Sequence, residues 1–171
     1  MAESIDIAGI IIPDNSPVFL TFIGIHIVVA LLCLISGVLA MSTNKTNKRH
    51  PVYGIFYFWS LSVVFLTSIC LSVLRWPLDN HLLVLGTLSF ALALGGRLAQ
   101  RHKWKKHTRW HLTGMSGSFI LLLTAFYVDN GKNLPLWELL PEIAYWVLPA
   151  LIGIPISIYV LLHHPLTRLK K

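Results

Sequence analysis

Charge is scarce in this sequence, and acid is scarcest. Charged residues make up 12% of the 171, against about 25% in ordinary soluble domains. Hydrophobic residues reach 55% and mean hydropathy is +0.68. A chain so short of polar surface cannot clothe a soluble core, whereas a bilayer removes that requirement. Only seven residues are acidic against fourteen Lys and Arg, giving a net charge of +7. Nucleic-acid binding is set aside as a reason for the excess, because the basic residues lie in short loops between apolar runs rather than on a basic face with polar neighbours.

Other absences narrow the chemistry. Two cysteines, Cys33 and Cys70, sit inside apolar runs at different depths, so they read as small buried residues rather than a disulfide framework. There is no HExxH, CxxC or GxSxG pattern and no phosphate-binding glycine loop. No pair of carboxylates falls within an apolar run, which weakens an ion-coupled transporter reading. The first apolar run follows Glu3, Asp6 and Asp14 rather than a basic segment, so a retained helix is expected there instead of a removed signal peptide.

What remains is five apolar runs, at 17–41, 51–74, 78–99, 109–128 and 141–162, each long enough to cross a core of about 30 Å. They predict an all-α integral membrane bundle of five transmembrane helices, built as one domain over 1–171. Pro51, Trp76-Pro77, Asp129-Asn130-Gly131 and Pro141 separate the runs. The run Ile7–Ile12 is too short to span and is expected at the membrane interface.

Twelve of the fourteen basic residues fall on one side of this arrangement: Lys45, Lys48, Arg49, Arg97, Arg101, Lys103, Lys105, Lys106, Arg109, Arg168, Lys170 and Lys171. All seven acids fall on the other. The excess of Lys and Arg in cytoplasmic loops predicts the N-terminus outside and the C-terminus in the cytoplasm. The basic face predicts attraction to anionic lipids on the cytoplasmic leaflet, with a membrane protein partner as a further possibility. The six tryptophans lie mostly near span ends, as an interfacial belt requires.

Small residues mark helix contacts. Gly86, Ser89, Ala93 and Gly96 share a face of the third run, and Gly114, Gly117 and Ser118 crowd the fourth. Pro149, Gly153 and Pro155 predict a bend in the fifth.

Eight histidines are the feature with chemical promise, because an ionisable group within a span is costly and often functional. His26 lies about 13 Å into the first run. It shares a face with Ala30, Cys33 and Gly37, which points it into the bundle. Two readings stand for it: a ligand or proton relay, or a neutral imidazole hydrogen-bonded across helices. His50 opens the second run on a face with Gly54, Tyr57, Leu61, Ser68 and Ser72. His107 and His111 are four apart and share a face with Met115. Such a pair can chelate one metal ion, and a thioether beside it favours copper or haem iron. Solvation among the neighbouring lysines is the plainer reading of both. His81, His102, His163 and His164 are expected to be interfacial or solvated. Depth separates the candidates, with His26 about 18 Å from His111 along the membrane normal.

The stretch His111-Leu-Thr-Gly-Met115-Ser-Gly-Ser-Phe119-Ile, followed by Thr124-Ala-Phe126, resembles a widespread family of small bacterial membrane proteins, a domain of unknown function. His26, His50 before Tyr53-Gly54, and Gly95-Gly96 are similar as well, so the resemblance covers most of residues 20–130. It implies a multi-pass protein of the bacterial cytoplasmic membrane with four or five helices. It implies no activity, but it singles out His26, His50, His111 and Met115.

Three functions follow from the residues. The preferred expectation is a histidine-ligated haem or copper site for redox or metal handling, with His50, His107 and His111 as metal ligands and His26 and Met115 as cofactor-binding residues. The second is a non-catalytic membrane assembly factor or binding module whose histidines make interhelical hydrogen bonds. The third is an enzyme or carrier acting on a lipid or small hydrophobic molecule, with a cavity lined by His26, Tyr57 and Ser68.

Overall fold

Long apolar runs bounded by caps and prolines become helices here, as hydrocarbon requires of a backbone that must satisfy its own hydrogen bonds. A computed structural model describes residues 5–7, 10–12, 16–44, 48–135 and 137–163. The helices are α1 (Pro17–Ser42), α2 (Arg49–Leu74), α3 (Asn80–Arg101), α4 (His107–Asn130) and α5 (Glu142–His163). All five are long and apolar enough to cross a membrane, and they mark the chain as a multi-pass membrane protein. No end differs from the expected run by more than two residues. Lys45, His164, Arg168, Lys170 and Lys171, like Glu3 and Asp14, lie outside the described residues.

One departure from an all-α chain precedes α1. Strands β1 (Ile5–Ile7) and β2 (Ile10–Ile12) pair antiparallel, with Ile5 opposite Ile12. The short run 7–12 thus contains the end of β1 and all of β2. Its β-branched isoleucines favour the extended backbone.

The start of α1 is capped by Ser16, whose hydroxyl accepts from the Phe19 N–H at 3.3 Å, with Pro17 in the first turn, where its missing N–H has no partner to lose. Between α3 and α4 the chain turns in five residues, with Lys103 and Lys106 both at positive φ (49° and 62°). α5 runs unbroken through Pro149 and Pro155.

The chain divides into two compact units, Met1–Leu83 and Val84–Lys171. In the first, α1 and α2 pack antiparallel. Phe19, Cys33, Ser36 and Gly37 are buried against a stripe of α2 that includes Tyr57, Leu61, Val64 and Thr67. In the second, the small-residue faces of α3 and α4 meet. Ser89, Ala93 and Gly96 are buried on α3, and Gly114 and Ser118 on α4. The Ser89 hydroxyl donates to the Ser118 carbonyl at 2.8 Å. α5 packs on α4, where Tyr145 lies against Gly131 and Ile120 against Gly153. Tyr145 donates its hydroxyl proton to the Trp137 carbonyl at 2.9 Å.

Large apolar residues that remain exposed, such as Val28, Leu31, Phe56, Leu66, Leu151 and Ile156, cover the outsides of these helices. In water such a surface would aggregate; in lipid it is already solvated.

In the second unit the α3 and α4 backbones approach closely at Gly96 and Gly114. A Cβ on Gly114 would stand 2.6 Å from the Leu92 carbonyl oxygen and 2.9 Å from the Gly96 Cα, both backbone atoms that cannot step aside. Gly95, one residue along, has nothing within 4 Å of an added Cβ. Gly114→Ala is therefore expected to destabilise the protein by about 1–3 kcal/mol, whereas Gly95→Ala leaves it unchanged or slightly firmer. Thermal unfolding in detergent distinguishes them, and equal melting of the two variants would contradict this packing.

Candidate functional site

Three of the histidines, His26, His50 and His111, are held by hydrogen bonds to neighbouring helices. His26 lies mid-helix on the face of α1 that carries buried Cys33 and Gly37, and so meets α2. Its Nδ1 is 2.8 Å from Thr67 Oγ1. The Thr67 hydroxyl is also within 2.9 Å of the Val63 carbonyl and 3.0 Å of the Val64 carbonyl. A hydroxyl has one proton; given to one of these helix carbonyls, it leaves the Thr67 oxygen to accept from a protonated Nδ1 of His26.

His50, at the first turn of α2, reaches back to α1, with Nδ1 2.9 Å from the Ala40 carbonyl oxygen. His111 of α4 reaches α3, with Nδ1 3.3 Å from the Gly96 carbonyl oxygen. A carbonyl can only accept, so Nδ1 donates in both. In each neutral ring the basic lone pair is then on Nε2. His50 and His111 thus share one tautomer, and His26 shares it when Thr67 gives its proton to its own helix.

In the first unit these bonds form a ladder. His26 meets Thr67, the Cys33 thiol donates to the Tyr57 carbonyl at 3.7 Å, and His50 meets Ala40. The partners advance along α1 as they retreat along α2, as an antiparallel pair requires. The His111 bond arises from close packing. Gly96 and Gly114 let the two backbones approach, and that brings an α3 carbonyl within reach of an α4 imidazole.

The other expected site residues are placed more plainly. His107 opens α4 half-buried, and Met115 is half-buried one turn beyond His111, with its backbone N–H beside Gly96. His111 and Met115 thus flank the same glycine. His81, His102 and His163 are exposed, and His163 stacks on Tyr159 with ring centroids 4.4 Å apart. Within neither unit do three of His, Cys, Asp and Glu among the described residues come together in a group able to hold a metal ion. Cys33 and Cys70 are free thiols.

The residue that reading the sequence missed is Thr67. Ser68 was the neighbour singled out, on the His50 face, and the hydroxyl that meets His26 is one position earlier. A depth match was the available signal. Thr67 is about 10 Å from the α2 end that adjoins Trp76, and His26 about 13 Å from the start of α1. Two polar groups at similar depth on antiparallel helices are natural partners. The Ala40 and Gly96 acceptors are backbone atoms, and no side-chain pattern announces them.

No family model matches the chain, and searches of curated proteins and of solved structures return no match either.

The His26–Thr67 bond gives a direct test. Removing either partner by His26→Leu or Thr67→Val is expected to cost about 0.5–2 kcal/mol, and the double variant is expected to cost less than the sum of the two by about 0.6 kcal/mol or more. Unfolding in detergent measures this cycle. Strict additivity would show that the bond contributes nothing to the pairing of α1 and α2.

Proposed function

We propose that the chain is a non-catalytic assembly or binding module of a bacterial cytoplasmic membrane, and that its half-buried His26, His50 and His111 act as helix-to-helix hydrogen-bond donors. The observation that carries this reading is the shared use of Nδ1: His26, His50 and His111 each direct it to an adjacent helix. Such bonds give an apolar bundle the specific registry that lipid-solvated leucines cannot supply. The positions that carry the resemblance to the family of small bacterial membrane proteins are these same three, together with Met115. A shared scaffold accounts for that as readily as a shared reaction.

The N-terminus lies outside and the C-terminus in the cytoplasm in this reading. Its support is the charge between α3 and α4. Arg101, Lys103, Lys105, Lys106 and Arg109 bracket that turn, and no acid occurs between Asp79 and Asp129.

A second reading, a histidine-ligated haem or copper site, has one specific observation in its favour. Ligating imidazoles characteristically donate the other ring N–H to a carbonyl or carboxylate, which fixes the ring and its tautomer. His50 and His111 donate to carbonyls in this way, so Nε2 is the nitrogen that would bind. Met115, beside His111, and His107 would complete such a site on α4.

Titration of the full chain in mild detergent with haemin, and separately with copper(I), separates the two. The module reading expects no saturable one-to-one binding, no Soret shift, and the same weak uptake in His111→Leu and Met115→Leu as in the wild type. Stoichiometric uptake that is lost in His50→Leu or His111→Leu would overturn it in favour of the ligand site. Orientation is checked in intact cells with Cys33 and Cys70 replaced by alanine. A cysteine at Asn133 is expected to react with an impermeant thiol reagent and one at His102 is not; the reverse pattern would invert the topology.

A further inference from the structure

Between α4 and α5 runs a groove of about 170 Å³. Leu112, Thr113, Ser116 and Ile120 line it from α4, and Ser157 and Leu161 from α5. Two of its hydroxyls are turned to their own helices. Ser157 donates to the Gly153 carbonyl at 2.7 Å and Ser116 to the Thr113 carbonyl at 3.4 Å. With those protons committed to the backbone, the groove presents mainly methyl and methylene groups. A polar solute gains little there, whereas an alkyl chain fits its chemistry.

The two ends of the groove differ. At Ile120 the helices close, because that side chain packs directly on Gly153. At the other end α4 begins, and the charge there is all of one sign. Arg109 lies three and four positions before Leu112 and Thr113, on the face that lines the groove. Lys105 and Lys106 are exposed immediately ahead of it. An apolar slot on two membrane-spanning helices, closed at depth and bordered by cations where the helix emerges, matches the two ends of one kind of molecule.

We propose that this groove holds an acyl chain of an anionic phospholipid, with its phosphate at Lys105, Lys106 and Arg109. Such lipid binding needs the helices to lie in a bilayer but is independent of what the histidines do, so its failure would leave that reading untouched. Basic residues at a membrane surface each contribute roughly fivefold to the binding of an anionic lipid. The α4–α5 groove adds a place for the chain that a basic patch alone lacks.

Native mass spectrometry of the full chain, released from mild detergent with added phosphatidylglycerol or phosphatidylcholine of identical chains, tests this. The wild type is expected to retain one phosphatidylglycerol per chain at least about tenfold better than phosphatidylcholine. The triple variant Lys105→Gln, Lys106→Gln, Arg109→Gln is expected to lose that preference. Ser157→Phe, which fills the groove, is expected to lower retention of both lipids about tenfold, with helical circular dichroism and a monodisperse profile showing that it folds. Leu161→Trp replaces it if it does not. Equal retention of the two lipids by the wild type, or wild-type retention by the groove-filling variant, would overturn the proposal. So would full displacement by glycerol phosphate, which would assign binding to the phosphate alone, or a lipid-free dimer lost with Ser157→Phe, which would seat a second copy there.

Discussion

In hydrocarbon a helix gains almost nothing by hiding a leucine, because the solvent is as apolar as the side chain. Association must come from what lipid cannot offer: close backbone approach and hydrogen bonds between helices. Each helix pair described here is held in these ways. α1 and α2 are tied by His26 to Thr67, Cys33 to Tyr57 and His50 to Ala40. α3 and α4 are tied by Ser89 to Ser118 and His111 to Gly96, across a contact that only glycine permits. α5 keeps most of its large side chains outward and meets α4 through Gly153 and Tyr145.

That constraint also gives the histidines a common logic. An imidazole has two nitrogens and, when neutral, one proton. Directing the proton from Nδ1 to a neighbouring helix anchors the ring and leaves basicity on Nε2. The same arrangement serves a structural clamp and a ligand in waiting. What separates these roles is whether several rings converge, and within each unit the described residues form no three-membered cluster. The basic residues ahead of α4 belong to a different physical layer, and in our proposal they meet lipid headgroups.

Much of this was legible in the sequence because hydropathy and span length are properties of contiguous residues. The five runs, their breakers and the buried face of Ser89, Ala93 and Gly96 follow from spacing alone. The inward face of His26 followed from Ala30, Cys33 and Gly37, since a row of small residues in a greasy helix signals a neighbour. Partner identity was less legible. Thr67 and Ser68 are adjacent, and a shift of about 100° around the helix decides which one meets His26. The Ala40 and Gly96 carbonyls carry no side-chain signature at all. The hairpin of Ile5–Ile7 with Ile10–Ile12 escaped because a short isoleucine-rich run reads equally as an interfacial segment and as strands.

The central claim is that Nδ1 carries the proton in three half-buried imidazoles. Nitrogen-15 magnetic resonance of histidine-labelled protein in bilayers, held well above the ordinary imidazole pKa, reads this directly once His26, His50 and His111 are assigned by substitution. The account predicts a protonated Nδ1 and a pyridine-like Nε2 in all three. Protonation at Nε2 in His50 or His111 would contradict the hydrogen bonds to the Ala40 and Gly96 carbonyls, and with them the explanation of how these helices hold together.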